Sequence, residues 1–170
     1  MGSEAPERTP RPIPVELTAA EISARMRARA EHILSGQGLS LDLTGHMWAA
    51  DLVCVTSRER GSITDEEREA LDKAASALGY SPVQVATICV PEVRAATAQA
   101  SGVDEALTAL ISVLNPMAVV YLDTAAYEVG SATDRLTVSV SDFFGSLGDE
   151  GLKRVAWTEM QPAKVKPIFR

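Results

Sequence analysis

The sequence predicts an α/β protein in which a four-stranded, mostly parallel sheet lies between two layers of helices. Three short apolar runs alternate with helical segments and have the pattern of strands covered on both faces: Asp51–Thr56, Val83–Val90 and Met117–Leu122. A fourth run, Leu136–Ser141, alternates apolar and polar residues, as an edge strand does. Because strands that alternate with helices form parallel sheets, we expect right-handed crossovers and a three-layer α/β/α domain.

Capping signals indicate where the helices begin and end. Thr64 and Glu67 have the spacing of a capping box, in which each side chain accepts a hydrogen bond from the other residue's backbone. This helix should end at Gly79, because glycine tolerates the left-handed conformation that commonly follows a helix. Residues 18–35 begin with a similar signal, so a further helix is expected before the first strand.

Two more helices follow from the second half of the chain. A helix from about Val103 should end at Asn115, since a residue that precedes proline avoids the helical region. Asp149 is expected to cap the last helix, and Pro162 ends it. The predicted inner face of that helix consists of Leu152, Val155, Ala156 and Met160.

The chain is expected to form one domain with a tail at each end. Residues 1–14 contain four prolines and little apolar bulk, so they predict a disordered tail. Residues 15–162 form the domain, and residues 163–170 form a basic-apolar tail. The N-terminus does not have the pattern of a signal peptide, and no apolar run approaches the ~20 residues that cross a bilayer. We therefore expect a cytoplasmic protein without a membrane partner.

Charge is distributed unevenly along the chain. The whole protein carries a formal net charge of −7, with −10 over residues 61–150 and +4 over residues 151–170. An acidic body repels phosphate groups, so nucleic-acid binding by the surface as a whole is disfavoured. Only the C-terminal segment offers a concentration of cations, and Lys164 and Lys166 are its candidate binding residues.

The chain contains few cysteines and histidines that could act as ligands for a metal ion. Cys54 and Cys89 lie within apolar, strand-like runs, where cysteine usually packs as a small hydrophobic residue. Together with the two histidines they show no spacing typical of metal ligands. We therefore expect free buried thiols, no metal site and no cofactor.

The first loop to inspect follows the first predicted strand, because ligands of parallel sheets bind beyond the carboxyl ends of the strands. It offers Ser57 and Arg58 as binding candidates and Glu59 as a weak catalytic candidate. Glu59 is flanked by two arginines, which favour its charged form and suit a carboxylate that orients a water molecule. A solvated charged loop explains the same residues without any catalytic role.

The loops after the third and fourth predicted strands hold the other candidates. Asp123 and Thr124 could bind a ligand, although the role of helix N-cap also explains Asp123. Asp142 is the second weak catalytic candidate. Phe143 and Phe144 are adjacent and should point in different directions, so that one enters the core while the other covers the strand ends or meets a partner. Base stacking and core packing both remain open for this pair.

Three segments of the chain, in this order, resemble the uracil-DNA glycosylase superfamily. The helix Glu67–Tyr80 is similar to the helix that follows the first strand in bacterial members. Leu114–Ala126 is similar to their third-strand region, and Asp149–Met160 is similar to their closing helix. The resemblance spans about Asp51–Pro162 and implies a uracil-DNA-glycosylase-like α/β fold.

The resemblance does not extend to the family's catalytic groups. Active members place a water-activating residue in a Gly-rich loop after the first strand, where this chain has residues 56–61 and only Glu59 approximates the role. They also use a histidine after the fourth strand, where residues 140–145 contain none. A non-enzymatic protein of the same fold class, the psi subunit of the bacterial clamp loader, works through protein contacts, and this chain is similar to it in size and in its degraded loops.

The sequence therefore predicts a catalytically degenerate, uracil-DNA-glycosylase-like domain that serves as an adaptor for an unidentified protein partner in DNA replication or repair. Its expected contact regions are the C-terminal tail and the loop with Phe143 and Phe144. Two alternatives stay open. One is a divergent base-excision glycosylase that uses Glu59 or Asp142, and the other is a small-molecule or nucleotide sensor. The sequence leaves the oligomeric state open as well.

Overall fold

The computed structural model describes residues 39–43, 50–90, 102–130 and 135–165, together with six single positions between residues 21 and 32. Those six positions are helical and exposed, as the predicted first helix requires. The predictions for residues 1–14, and for Lys166 and the residues that follow it, lie outside the described residues.

A five-stranded, mostly parallel sheet forms the centre of the described part. Its strands are β1 (Ser40–Leu43), β2 (Leu52–Thr56), β3 (Val85–Cys89), β4 (Ala118–Tyr121) and β5 (Leu136–Ser139). They lie in the order β1-β3-β2-β4-β5. β1 pairs antiparallel with β3, and all other neighbours are parallel. The α/β class predicted from the sequence is confirmed, whereas the count of four strands is wrong by one.

The strand that the sequence did not reveal is β1. It has only four residues and pairs along one side only, so the apolar-polar alternation in Ser40–Leu43 is too short to distinguish a strand from a loop. The predicted strand Val83–Val90 begins two residues later than expected. Pro82–Gln84 forms a 3-10 turn, and β3 starts at Val85. In that turn the side-chain oxygen of Gln84 accepts from the backbone N–H of Ser81, 2.8 Å away.

Four helices of the described residues connect and cover the strands: α1 (Asp65–Ala77), α2 (Val103–Leu114), α3 (Thr124–Gly130) and α4 (Glu150–Met160). The predicted capping box at the start of α1 is confirmed, with both reciprocal hydrogen bonds present. Asp149 caps α4 by accepting from a backbone N–H of the first turn, 3.0 Å away. Asn115 ends α2 in the left-handed conformation, with a φ of 52°.

Side chains alternate between the two faces of the sheet and build two hydrophobic clusters. On β2, Val53 and Val55 belong to one cluster, and Leu52 and Cys54 belong to the other. Side chains of α2 and α3 complete the first cluster, while side chains of α1 and α4 complete the second. We refer to the two sides of the sheet as the α2–α3 face and the α1–α4 face.

The buried face of α4 is narrower than the sequence predicts. Ala156 and Met160 are buried as expected, but Leu152 and Val155 are 53% and 51% exposed. These two side chains line a small cavity next to Ser141, just after β5. Because β5 is the last strand of the sheet, no further strand of the described part covers them. The prediction of a four-residue inner face is therefore wrong for half of its members.

Candidate functional site

The side chain of Asp123 ties together the loops that follow β2 and β4. One carboxylate oxygen accepts from the Thr56 hydroxyl at 3.0 Å and from the Ser57 backbone N–H at 2.9 Å. The other oxygen accepts from the Ala126 backbone N–H at 2.8 Å, which caps α3. Three donors thus hold this half-buried carboxylate, and its geometry is that of a structural clamp.

Arg58 points toward α1 and is engaged there on several sides. Its guanidinium donates to both carboxylate oxygens of Glu67, at 2.8 and 3.1 Å, and to the Ser62 carbonyl at 2.9 Å. It also lies 5.2 Å from the centre of the Phe144 ring, in cation-π geometry. The hydrogen bond from Arg58 lowers the pKa of Glu67, and the backbone N–H of Thr64 contributes to the same shift. Arg58 therefore fastens the loop to the helix.

No hydrogen bond and no shared cavity joins the two catalytic candidates in the described part of the chain. Glu59 is exposed, and its backbone carbonyl accepts from the Ser62 backbone and hydroxyl. Asp142 is exposed as well, and its carboxylate accepts from the Gly145 backbone N–H at 3.0 Å. Asp142 lines the small cavity beside α4, and Glu59 does not. Their arrangement gives neither carboxylate a partner for acid–base chemistry among the described residues.

Some of the predicted binding residues are in contact with one another, through the Ser57–Asp123 hydrogen bond and the placement of Arg58 over the Phe144 ring, whereas Thr124 and Lys164 are not part of these contacts. Ser57 is half-buried and reaches Asp123 only through its backbone N–H. The exposed Thr124 hydroxyl lies 3.4 Å from the Ser141 carbonyl, at the limit of a hydrogen bond. Lys164 is exposed near the end of α1, where the backbone N–H of its neighbour Val165 donates to the Leu78 carbonyl. Lys166 lies outside the described residues.

Phe143 and Phe144 both belong to the core of the α1–α4 face. They are 5% and 6% exposed, and their ring centres lie 5.3 Å apart in an edge-to-face arrangement. The expectation that only one ring enters the core is therefore wrong. The reason is local: the chain turns into a 3-10 helix at Gly145–Gly148, so both rings lie beneath α1 and α4.

An open groove of about 860 Å³ runs between α1 and α4 above these rings. Its floor and walls are largely apolar. The apolar side chains that line it include Ala70, Ala74, Phe144, Ala156, Trp157 and Met160. The indole of Trp157 remains 38% exposed at its edge. The two helices make few direct contacts with each other, so the groove lies open between them.

Charged side chains border the groove on both sides. On the α1 side, Glu69 forms an ion pair with Lys73. On the α4 side, Lys153 forms an ion pair with Glu150. Two further residues of the border, Glu66 on α1 and Arg154 on α4, form no ion pair with another residue of the described part.

Sequence reasoning missed the groove, although one signal for it was present. In α4, apolar residues point both toward the edge of β5 and toward α1, and a single helix cannot bury two such faces against one sheet. The prediction treated α4 as having one inner face and did not assign a role to Trp157. Of the candidates named from the sequence, Phe143 and Phe144 line the groove.

Other kinds of site find no support in the described residues. No cluster of three or more His, Cys, Asp or Glu in that part could hold a metal ion. Among the residues that the structure describes, no helix is both long and apolar enough to pass through a bilayer. Cys54 and Cys89 are buried free thiols, and burial raises the pKa of Cys54 to about 12, with a contribution from Asp72. A thiol in that state is not a nucleophile at neutral pH.

No protein-family model and no curated protein sequence matches the chain.

Proposed function

We propose that this chain is a non-enzymatic interaction module that binds a partner protein in the groove between α1 and α4. The observation that carries the proposal is the groove itself, with its apolar lining and the partly exposed indole of Trp157. Folded proteins bury most apolar side chains, and an extended apolar surface rimmed by charge is typical of a protein-binding site. Tryptophan is also among the residues that contribute most to such interfaces.

The arrangement of the acidic residues supports a binding role over catalysis. Asp123 is occupied by three donors, and Arg58 is occupied by Glu67. Glu59 and Asp142 share no hydrogen bond and no cavity among the described residues. A glycosylase needs a positioned water and a stabilised leaving base at one point, which requires the groups to converge.

The uracil-DNA-glycosylase-like fold, and a place in DNA replication or repair, belong to the same proposal. The parallel sheet with helices on both faces is compatible with the resemblance of the sequence to that superfamily. A cytoplasmic location also belongs to it, because both cysteines are free thiols, the form that a reducing compartment maintains. The net charge of −7 supports a protein partner over a nucleic acid.

Site-specific photo-cross-linking tests the proposal. A benzophenone amino acid is placed at Lys73, on the edge of the groove, and in a second variant at Ser112, an exposed position of α2 on the opposite face. We expect a cross-linked protein adduct from Lys73 and none from Ser112 when each full chain is irradiated in extract of its native cells. The adduct should disappear when Trp157→Ala is added to the Lys73 variant.

The two positions also define what would refute the proposal. Equal adducts from Lys73 and Ser112 would mean that capture does not depend on the groove. An adduct that survives Trp157→Ala unchanged would remove the groove from the interaction. Excision of uracil by the purified wild-type chain, lost in Asp142→Asn or Glu59→Gln, would replace the proposal with the divergent glycosylase.

A further inference from the structure

The walls of the groove restrict the backbone conformation of whatever binds there. Both walls are helices, and the floor consists of side chains that include Phe143 and Phe144. The peptide groups within a helix are already paired with each other, so these walls offer no open row of N–H and C=O groups. An extended strand would leave its own peptide groups without partners when buried there. A helix pairs its backbone internally and needs no such partners, so these walls suit a helix better than a strand.

The dimensions of the groove agree with that conclusion. Its α1 wall extends from Thr64 to Ala74, which corresponds to roughly 15 Å of helix at ~1.5 Å per residue. Small side chains line both walls, with Ala70 and Ala74 on α1 and Ala156 on α4. Helices pack with their axes about 8–10 Å apart, and small residues at the contact allow this close approach. About three turns of a partner helix match the length of the wall.

Glu66 and Arg154, which form no ion pair in the described part, indicate which charges a partner should carry on each of its flanks. Glu66 lies on the α1 side and Arg154 on the α4 side, while the neighbouring Glu67, Glu69 and Lys153 all have partners. A bound helix brings charges of opposite sign next to Glu66 and Arg154 if one of its flanks is basic and the other acidic. Complementary charges at the rim favour the correct partner, and like charges discriminate against others.

We propose that the groove binds an amphipathic helix of a partner protein, with an apolar stripe on the floor, basic residues beside α1 and acidic residues beside α4. This inference rests on the proposed function, because it specifies the partner of the same groove. Anchors spaced at i, i+3 or i+4 and i+7 would contact the floor on successive turns.

Synthetic peptides test the charge pattern directly. Three labelled peptides of about 18 residues share one apolar stripe and differ in their flanks: one basic and one acidic flank, two basic flanks, or two acidic flanks. Their affinities for the full chain are measured by fluorescence anisotropy at low salt. We expect the mixed peptide to bind about tenfold tighter than either of the others, because it alone avoids a like-charge contact.

Charge reversal in the chain should redirect this preference. Glu66→Lys makes both rims basic, so the peptide with two acidic flanks should become the tightest binder. Arg154→Glu makes both rims acidic, so the peptide with two basic flanks should take that place. Glu128→Lys is the matched control, since Glu128 is exposed on α3, on the other side of the sheet. The control should leave the order of the three affinities unchanged.

Several outcomes would overturn the inference. It fails if all three peptides bind no better than a scrambled peptide whose apolar residues are spread around the helix. It also fails if the cross-linked adduct from Lys73 has twice the mass of this chain, because the occupant is then a second copy. If the peptides fail while Lys73 still captures a partner in a Trp157-dependent way, only the helical partner is refuted. If both experiments fail, the proposed function falls as well.

Discussion

The helices on the two faces of the sheet bury different shares of their own residues. On the α2–α3 face, α2 buries six of its twelve residues, and α3 lies so close to the strands that a Cβ atom at Gly130 would come within 2.8 Å of the Tyr121 ring. On the α1–α4 face, α1 and α4 bury two residues each, and Trp157 stays partly exposed. Both faces of the sheet thus carry a buried core, and an open groove lies over the core of the α1–α4 face.

This difference separates stability from binding within one small domain. Leu107, Leu110, Ile111 and Leu114 of α2 fill the space above the strands, and such close packing stabilises the fold. The apolar walls of the groove contribute less, because solvent still reaches them. We therefore expect substitutions on the α2–α3 face to lower stability and substitutions along the groove to alter binding first.

The largest expected effect comes from shortening a fully buried side chain of the α2–α3 face. Leu107→Ala should lower the free energy of unfolding by about 2–5 kcal/mol, because it leaves a cavity beneath α2. Leu152→Ala is the matched control on α4, where the side chain is 53% exposed, and it should cost about 0.5 kcal/mol or less. Urea denaturation measures both. Equal losses in the two variants would contradict the contrast between the faces.

Gly130 offers a second test of how tightly α3 lies on the sheet. A methyl group at this position would meet Leu107 Cδ2 and Tyr121 Oη at 2.6 Å, while the Tyr121 hydroxyl donates to the Gly130 carbonyl. Gly130→Ala should therefore cost about 1–3 kcal/mol, even though alanine favours helices. Gly61→Ala should be neutral or slightly stabilising, since nothing lies within 4 Å of the added methyl. Thermal and urea unfolding of the pair would show a loose α3 if Gly130→Ala were harmless.

The Asp123 clamp predicts a smaller effect at the boundary between the two faces. Asp123→Ala removes the cap of α3 and the acceptor for the Thr56 hydroxyl and the Ser57 N–H. The expected loss is about 0.5–2 kcal/mol, measured by urea denaturation. Asp104→Ala is the control for an acidic residue near a helix start, since the Asp104 carboxylate accepts only from the backbone N–H of Glu105 among the described residues. If both variants lost the same stability, the clamp would have no special role.

The smallest expected effect concerns the pH dependence of the loop beside the groove. Because the pKa of Glu67 lies below its ordinary value of 4.5, its carboxylate contributes stability above that value. This contribution is lost as the pH falls through the lowered pKa of the folded state. Glu67→Gln should therefore be less stable than wild type at pH 7, by about 1 kcal/mol or less, and the difference should narrow below pH 4.5. A difference that is constant between pH 7 and pH 3 would rule out this carboxylate as the cause.

The elements of the fold that local chemistry determines could be predicted from the sequence. The parallel strands β2, β4 and β5 begin within one residue of their predicted starts, because continuous or alternating apolar runs reveal them. The capping box of Thr64 and Glu67 fixed the start of α1 for the same reason. β1 depended on pairing with a strand more than 40 residues away, and four residues carry too little pattern to reveal that pairing.

The candidate site was harder to predict, because it depends on how far apart two helices lie. The distance between α1 and α4 cannot be predicted from the residues of either helix. The groove between them, which leaves Trp157 partly exposed, was therefore not predicted. Arg58 is a binding candidate in a charged loop by sequence, but in the structure it pairs with Glu67 nine residues later. The sequence predicted that one of the two phenylalanines projects toward a partner. In the structure both rings form the floor of the groove, so the predicted loop is part of the site but its side chains have another role.

The central claim is that the groove is open in the folded protein, and the environment of Trp157 tests it most directly. The chain contains two tryptophans, so labelling with 5-fluorotryptophan gives two 19F resonances, and the one lost in Trp157→Phe belongs to the groove. We predict that this resonance shifts between H2O and D2O and broadens with a soluble paramagnetic agent, as an indole that is 38% exposed requires. A Trp157 resonance that responds to neither would show a filled groove and contradict the account.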